Sequence, residues 1–171
     1  LNDVATANVT VTIYSQSGSI LATDSQTIPA GGQAVFIEGD TLTQDGWIRV
    51  SSDQPVSGLN FLNQTWGAGD TLMADVPFTR IASKSLLIPH TAFWTNWSTV
   101  VYVANTENSS ADVTLTYRNT SGNASTPYSV TIPANGSQWI PVSTIGSSTD
   151  IKGGTVAITS TKDLAAFALY H

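Results

Sequence analysis

The chain has 171 residues, no cysteine, and six lysine or arginine residues against twelve aspartate or glutamate residues, a net charge of −6 at pH 7. The lack of cysteine excludes disulfides, cysteine nucleophiles and thiolate metal sites. The few scattered basic residues argue against a nucleic-acid partner. No apolar run approaches the roughly twenty residues of a transmembrane helix, so no membrane span is expected. The chain begins with Leu1 and shows no signal peptide, so we expect a mature or excised segment.

The first half of the chain predicts short strands separated by turns. Apolar and polar residues alternate from residue 7 to residue 14, a period of two that buries one face of a strand. Clusters of Gly, Pro, Asn and Ser mark the turns, and Gly32 is expected to supply the positive φ of the corner that follows Pro29. The predicted strands cover residues 7–14, 20–28, 33–37, 46–51 and 56–62.

The stretch from residue 63 to residue 84 is less regular, and the strands resume after it. Gly136 follows a second Pro-Ala pair and is expected to take positive φ as well. A looser stretch occupies residues 143–152, and no segment keeps a helical period over three turns. The predicted strands of this half cover residues 86–89, 99–104, 111–118, 128–132, 138–142, 154–160 and 164–170.

The two halves of the chain repeat one another. Residues 7–37 recur as residues 111–141, and after a shift of four more positions residues 47–52 match residues 155–160. A tandem duplication of this kind is typical of a stacked or strung array of modules. The second copy is preceded by a strong strand signal at 99–104, and at the same offset the first copy has no equivalent. The first module is therefore predicted to lack at least one N-terminal strand.

The series of strands predicts an all-β chain built as two tandem antiparallel β-sandwich modules of the immunoglobulin-like kind. Strands that recur roughly every eight to twelve residues, with Gly, Pro and Asn at the corners, are typical of this architecture. We place the first module, incomplete at its start, at residues 1–64, a connector at 65–83 and the second module at 84–171.

The turn glycines, core positions and corner prolines of the chain resemble a widespread group of tandem repeat modules in secreted and surface proteins of prokaryotes. The resemblance is carried by residues 97–99, 101–105, 113–116, 131–136, 154–156 and 164–166, and by 51–59 at the end of the first module. It covers nearly the whole chain and implies structural repeats without catalytic residues. The chain departs from the group at the start of the first module, where the group would supply an Ile-Pro-His strand and a Trp-Ser-Thr strand.

Seven of the ten asparagines lie in Asn-X-Ser/Thr sequons, namely Asn8, Asn63, Asn96, Asn108, Asn119, Asn123 and Asn135. Selection for N-glycosylation would explain this number and would place the protein outside the cell. Loops rich in Asn, Ser and Thr also generate sequons by chance, and the sequence leaves both explanations open. The predicted positions suit glycans, because four of them lie in turns and Asn8 lies on the outward phase of its strand.

The sequence contains no recognisable catalytic or metal-ligating motif. His90 is the only internal histidine, and we expect it to cap or pack at a strand end instead of serving as the base of a catalytic triad. We therefore predict no enzyme activity, no metal site and no cofactor.

Three tryptophans lie in or beside predicted loops: Trp66, Trp94 and Trp97. Exposed tryptophans in such places stack on sugar rings or anchor a partner. The alternative is that they fill the ends of the sandwich, and for Trp97, which directly precedes a strand, we expect a core position.

Two functions are compatible with this pattern. The first is a non-enzymatic extracellular structural subunit of a glycosylated surface filament, appendage or coat. In that case a neighbouring copy would donate the strand that the first module lacks, and strand exchange would join the subunits into a homopolymer. The second is a carbohydrate- or surface-binding accessory module of a larger secreted protein, with an adhesive role and glycans as ligands.

Overall fold

The computed structural model of the chain is an antiparallel all-β protein, as the sequence predicts. It describes residues 5–36, 46–66, 70–95, 97–148 and 150–170, and it describes the backbone alone for residues 61–66, 70–75 and 77. Within these residues, no helix has the length and apolar character that crossing a membrane requires.

Eleven strands and one short helix follow one another in the described part of the chain. We call residues 7–62 the first repeat and residues 111–170 the second repeat. The first repeat and the segment after it contain β1 (Ala7–Ser15), β2 (Ile20–Ile28), β3 (Gly46–Ser52), β4 (Leu59–Trp66) and β5 (Asp70–Pro77). The second repeat and the segment before it contain β6 (Ser83–Ile88), β7 (Thr99–Asn105), β8 (Ala111–Asn119), β9 (Tyr128–Ile132), β10 (Ser137–Pro141), α1 (Val142–Gly146) and β11 (Gly154–Tyr170).

The chain divides into two compact units. Unit 1 comprises Leu1–Thr12, Ala22–Thr41 and Ile48–Arg80. Unit 2 comprises Ile13–Leu21, Leu42–Trp47 and Ile81–His171, and so includes the turn between β1 and β2. The predicted modules at 1–64 and 84–171, with their connector at 65–83, stay a prediction, as does the arrangement of each module as a sandwich.

Unit 1 contains most of a three-stranded sheet in the order β2-β1-β3. Alternation along β1 buries Ala7 and Val9, which form a small core with Ile28 of β2. Partly buried apolar side chains pack against this core, namely Ala34, Phe36, Val50 and Val56. A separate two-stranded antiparallel sheet is formed by β4 and β5.

Unit 2 contains a six-stranded antiparallel sheet. Strands β10, β7, β11, β8 and β9 are neighbours in that order, and β6 also pairs with β11. All six strands and α1 contribute side chains to a single core, so the sheet curls around it. Leu115, Ile158 and Leu164 are among the fully buried side chains, and each such side chain contributes about 1.5–3 kcal/mol relative to an exposed one.

Strand β11 is longer than the sequence predicts. Its first part pairs with β6 and β8, and its last part, from Leu164 onward, pairs with β7. The sequence predicts two strands, with a break between residues 160 and 164. In the structure the strand is continuous there, and only its register with β6 shifts, between Thr159 and Leu164. The first repeat has Pro55 at the position equivalent to Asp163. Strand β3 ends at Ser52, and because proline has no N–H to donate, residue 55 cannot continue a strand ladder as Asp163 does within β11.

The predicted strand at 33–37 does not form over its described residues, 33–36, although residues 137–141 at the equivalent positions form β10. The physical reason is the absence of a partner strand. In unit 2, β10 pairs with β7, and the described first repeat contains no strand equivalent to β7. A strand cannot form without a neighbour that accepts and donates its backbone hydrogen bonds.

Two segments are more regular than the sequence predicts. Strand β5 lies within the stretch that was expected to be irregular, and α1 lies within the loose stretch at 143–152. Helix α1 is a single turn with no side-chain cap, so its sequence carries no helical period or start signal. It forms because Val142 and Ile145 are buried in the core of unit 2.

The two Pro-Ala corners place positive φ one residue earlier than predicted. Gly31 has a φ of 73° and the equivalent Asn135 a φ of 53°, whereas Gly32 and Gly136 are not among the positive-φ residues. Glycine is required at Gly32 and Gly136 for space. A Cβ there would lie 2.9 Å or 2.6 Å from the Cγ of the corner proline.

We predict that Gly31→Asn leaves the stability of the chain nearly unchanged, whereas Gly32→Ala lowers it by about 1–3 kcal/mol through overpacking. Asparagine tolerates the left-handed region, as Asn135 does at the equivalent position, but a methyl group on Gly32 would collide with Pro29. Thermal unfolding of the two single variants beside the parent measures the difference. Equal losses in both variants would contradict this assignment of the corner.

Candidate functional site

The side chain of Asn8, a predicted glycan acceptor, is held by hydrogen bonds within unit 1. Its Nδ2 donates to Asp53 Oδ2 at 2.8 Å, and its backbone N–H donates to Asp53 Oδ1 at 2.8 Å. Its Oδ1 accepts a hydrogen bond from the Thr27 hydroxyl at 3.0 Å. Asn8 points outward from β1, as predicted, but its amide is tied to two neighbouring segments.

The same hydrogen bonds lower the pKa of Asp53 below its ordinary value. The backbone N–H of Asn8 is the largest cause and the side-chain amide of Asn8 the second, because both stabilise the charged carboxylate. The carboxylate therefore stabilises the fold above the ordinary pKa of 3.8. This contribution is lost as the pH falls through the lowered pKa of the folded state.

The second repeat makes the corresponding contacts with different residues. Thr131 donates to Asp112 Oδ1 at 2.8 Å, which repeats the threonine bond of the first repeat. The backbone N–H of Asp112 donates to Thr161 Oγ1 at 3.0 Å, and Thr161 is equivalent to Asp53. The duplication is thus visible in individual hydrogen bonds as well as in the sequence.

The apolar core of the first repeat is less buried than the equivalent positions of the second. Ile48, Val50 and Val56 are half-buried. The equivalent side chains of the second repeat are at most 1% exposed, namely Val156, Ile158 and Leu164. We call the partly uncovered apolar surface of unit 1 the open face, and define it by Phe36, Ile48, Val50 and Val56.

Strands β6 and β7 cover the corresponding positions in unit 2. Ile88 of β6 lies opposite Val156, and Leu86 lies opposite Ile158. Strand β7 pairs with the last part of β11 and with β10. In the three-stranded sheet of the first repeat, β3 is the last strand. The described first repeat therefore lacks the pair of strands that closes the core of the second.

Trp94 and Trp97 form an exposed aromatic pair on a tight hairpin of unit 2. The backbone N–H of each donates to the carbonyl of the other, at 2.9 and 2.7 Å, and the ring centroids lie 6.3 Å apart. Trp94 is 36% exposed and Trp97 is 51% exposed, so the expected core position of Trp97 is wrong. Thr99 is the buried residue, and its hydroxyl bonds the backbone of Ala92. The side chain of Trp66 lies outside the described part.

Four described sequons lie at the two ends of the β8–β9 hairpin; three of their asparagines lie outside the strands, as the sequence predicts, and Asn119 is the last residue of β8. Asn108 precedes β8 and Asn135 follows β9, and Asn135 Nδ2 donates to Asn108 Oδ1 at 3.3 Å. At the other end, Asn119 Oδ1 accepts a hydrogen bond from the backbone N–H of Asn123 at 3.0 Å. The side chains of two further sequon asparagines lie outside the described residues, namely Asn63 and Asn96.

A row of aromatic side chains crosses three strands of unit 2 on the face that points away from the core. Trp139 of β10 lies opposite Tyr102 of β7, which in turn lies opposite Phe167 of β11. The rings of Tyr102 and Phe167 stack at 4.8 Å, and Trp139 is 42% exposed. This row was not predicted from the sequence, because the three strands come from distant segments of the chain. The alternation within each strand was the available signal.

His90 packs at a strand end, in the manner expected from the sequence. Its ring stacks on that of Tyr170 with centroids 5.9 Å apart, and the Tyr170 hydroxyl donates to the His90 carbonyl. Desolvation raises the pKa of Tyr170. Among the described residues, no group of three or more His, Cys, Asp or Glu is arranged to hold a metal ion.

No protein-family model matches the chain, and no curated protein sequence matches it. Among solved structures, the Anabaena sensory rhodopsin transducer is similar over 54% of this chain and 100% of its own, with 15% sequence identity and a TM-score of 0.46. A likeness at this level carries no argument about function, so the geometry of the chain itself has to supply one.

We predict that Asp53→Thr makes the stability of the chain less sensitive to acid. Threonine occupies the equivalent position in the second repeat and accepts the same backbone N–H there, so the variant keeps an acceptor and loses the titrating group. The parent should lose stability below about pH 4, as its carboxylate becomes protonated. Thermal unfolding at neutral and acid pH compares the two proteins, and identical acid profiles would refute the role given to Asp53.

Proposed function

We propose that the chain is a non-enzymatic, extracellular structural subunit of a glycosylated surface filament, appendage or coat, built from two tandem β-sandwich modules. The observation that carries this proposal is the open face of unit 1. Its residues are the counterparts of side chains that unit 2 buries next to β6 and β7. A pair of strands of the β6–β7 type would therefore complete unit 1.

Covering the open face would be favourable for two reasons. Full burial of a valine, isoleucine or phenylalanine side chain contributes about 1.5–3 kcal/mol, and the residues of the open face are half-buried. Added strands would also offer backbone partners to residues 33–36, whose equivalents in unit 2 form β10 by pairing with β7. The same donor would thus supply both apolar cover and hydrogen bonds.

Donation of these strands by a neighbouring chain would link subunits to one another. In strand addition, main-chain hydrogen bonds provide affinity, and pockets for alternate side chains provide specificity. A donor on one subunit and an acceptor on the next form a head-to-tail contact, which propagates as a fibre when its rotation does not close. The core-facing side chains of β6 and β7, which both pair with β11, define the side-chain pattern that such a donor needs.

An extracellular location is supported by the sequons and by the composition. Four described sequon asparagines lie at the two ends of the β8–β9 hairpin of unit 2, three of them outside the strands and Asn119 at the last residue of β8, where bulky glycans are accommodated. The low charge and the high content of serine and threonine suit a hydroxyl-rich surface of solvated β-strands. The resemblance to repeat modules of secreted and surface proteins favours the same location.

The proposal predicts that a synthetic peptide of residues 83–105, which spans β6 and β7, binds the full chain at a single site. At about one hundred times its dissociation constant, the peptide should raise the stability of the chain by about 2.7 kcal/mol. Hydrogen exchange should slow in residues 33–36 and 46–56, because the donor strands pair with and cover them. Calorimetry gives the stoichiometry, and thermal unfolding gives the stabilisation.

The matched control is the same peptide with Val101→Asp and Val103→Asp, which places two charges on the side that faces the core. This peptide should not bind, because buried unpaired charges are strongly unfavourable. The proposal fails if the parent peptide neither binds nor changes exchange in residues 46–56. It also fails if both peptides bind equally well.

The exposed Trp94–Trp97 pair favours a second candidate function, a carbohydrate- or surface-binding accessory module of a larger secreted protein. Two exposed indole rings on one hairpin offer apolar faces on which sugar rings stack. The backbone bonds between the two residues hold the pair in place without any ligand. In this case adhesion, and not assembly, would be the role of the chain.

For this second candidate we predict that Trp94→Ala combined with Trp97→Ala abolishes glycan binding on an array and leaves thermal stability within about 0.5 kcal/mol of the parent, as expected for exposed residues. Trp139→Ala, which removes an exposed tryptophan of β10 instead of the hairpin, is the matched control and should bind normally. An array on which the parent binds no glycan would eliminate the candidate.

A further inference from the structure

We propose that Asn108 is the principal N-glycan acceptor among the described sequons, with Asn119 as a second acceptor, and that Asn8 and Asn135 stay unmodified in the folded chain. The inference deepens the proposed function, since it rests on the extracellular location. It sorts the sequons by two requirements of the transfer reaction. These are an accessible Nδ2 on the asparagine and an accessible hydroxyl two residues later.

Asn108 meets both requirements. Residues 107–110 of the β7–β8 loop are all exposed, and they include Ser110, which carries the sequon hydroxyl. Asn108 uses its Oδ1 to accept the bond from Asn135, and its own Nδ2 makes no hydrogen bond within the described chain. A glycan on this nitrogen would extend into solvent without displacing a strand or a core side chain.

Asn119 meets the requirements nearly as well. Its Oδ1 accepts the backbone N–H of Ser121 and of Asn123, each at 3.0 Å, which fixes the turn and leaves Nδ2 without a bond among the described residues. Ser121, which carries its sequon hydroxyl, is exposed. The neighbouring sequon of Asn123 is weaker, because the hydroxyl of Ser125 is half-buried and donates to the carbonyl of Ile145.

Asn8 fails on both requirements. Its Nδ2, the atom to which the sugar would be attached, lies 2.8 Å from the Asp53 carboxylate. The hydroxyl of Thr10, two residues later, is in a hydrogen bond with the Ser25 hydroxyl at 2.9 Å. Strand β1 is also the central strand of its sheet, with a neighbouring strand on each side of the sequon.

Asn135 fails because its corner is packed within unit 2. Its carbonyl accepts a hydrogen bond from the Trp47 indole at 2.7 Å, and Ser137, which carries the sequon hydroxyl, is buried. The backbone N–H of Ser137 donates to the Gln16 carbonyl at 3.0 Å. These contacts keep a transferase from binding the sequon in an extended conformation at this corner.

This selection leaves the described sequon of unit 1 without a glycan. Asn8 is the described sequon of β1, and β1 is next to β3, which carries two residues of the open face. The favoured acceptors, Asn108 and Asn119, both belong to unit 2. The described sequon of β1 would thus stay unmodified, while the two favoured acceptors carry sugar.

The test is in vitro transfer to the folded, unglycosylated full chain by an oligosaccharyltransferase that accepts Asn-X-Ser/Thr, with occupancy at each site measured by peptide mapping. Short peptides that span each sequon give the intrinsic reactivity of each site. Relative to its peptide, Asn8 in the folded chain should react at least about tenfold more slowly than Asn108, because its bond to a charged acceptor must first be broken. The variant Asp53→Ala should raise transfer to Asn8 and leave Asn108 unchanged.

The proposal is overturned if Asn108 does not react in the folded chain, or if Asn8 or Asn135 reacts as fast in the chain as in its peptide. These outcomes do not depend on strand addition, because the reaction uses the purified chain and supplied enzyme. Failure of the β6–β7 peptide to bind would count against the structural role alone. Failure at Asn108 would count against the glycan assignment alone.

Discussion

Strand β11 has a neighbour on each side, and the core of unit 2 depends on this pairing. Strands β8 and β6 flank its first part, and β7 pairs with its last part. Val156, Ile158 and Leu164 are fully buried as a result. In the first repeat β3 is the last strand of its sheet, and the side chains at the same three positions are half-buried. Sheet neighbours, more than side-chain type, therefore decide whether this repeat closes its core.

The two units also differ in how their surface polar side chains are hydrogen-bonded. In unit 1 the amide of Asn8 and the carboxylate of Asp53 are used to hold the sheet together. In unit 2 the equivalent N–H is accepted by a threonine, and the favoured acceptors lie in the β7–β8 loop (Asn108) and at the last residue of β8 (Asn119). In unit 1 the Asn8 amide is thus used in a hydrogen bond within the sheet, whereas the Nδ2 atoms of Asn108 and Asn119 in unit 2 make no hydrogen bond within the described residues.

Local pattern was enough to predict the all-β character, most strand positions and the outward direction of Asn8. These follow from period-two alternation, which depends on neighbours in sequence. Trp97 was predicted wrongly because burial beside a strand depends on where the hairpin turns, and Thr99 takes the buried position instead. The positive φ of the first corner lies one residue earlier than predicted because the adjacent glycines differ in role: Gly31 takes the positive φ, and Gly32 provides the space beside Pro29.

The sequence by itself determined the repeat, the alternation of buried and exposed faces, the corner prolines and the sequons, since each is set by residues close together in the chain. The tertiary structure alone decided that residues 137–141 form a strand and residues 33–36 do not. It also decided that Trp139, Tyr102 and Phe167 form one row, and that Asn8 is bound to Asp53. The physical reason is that a strand is stabilised by hydrogen bonds and side-chain contacts to a neighbour that is distant in sequence.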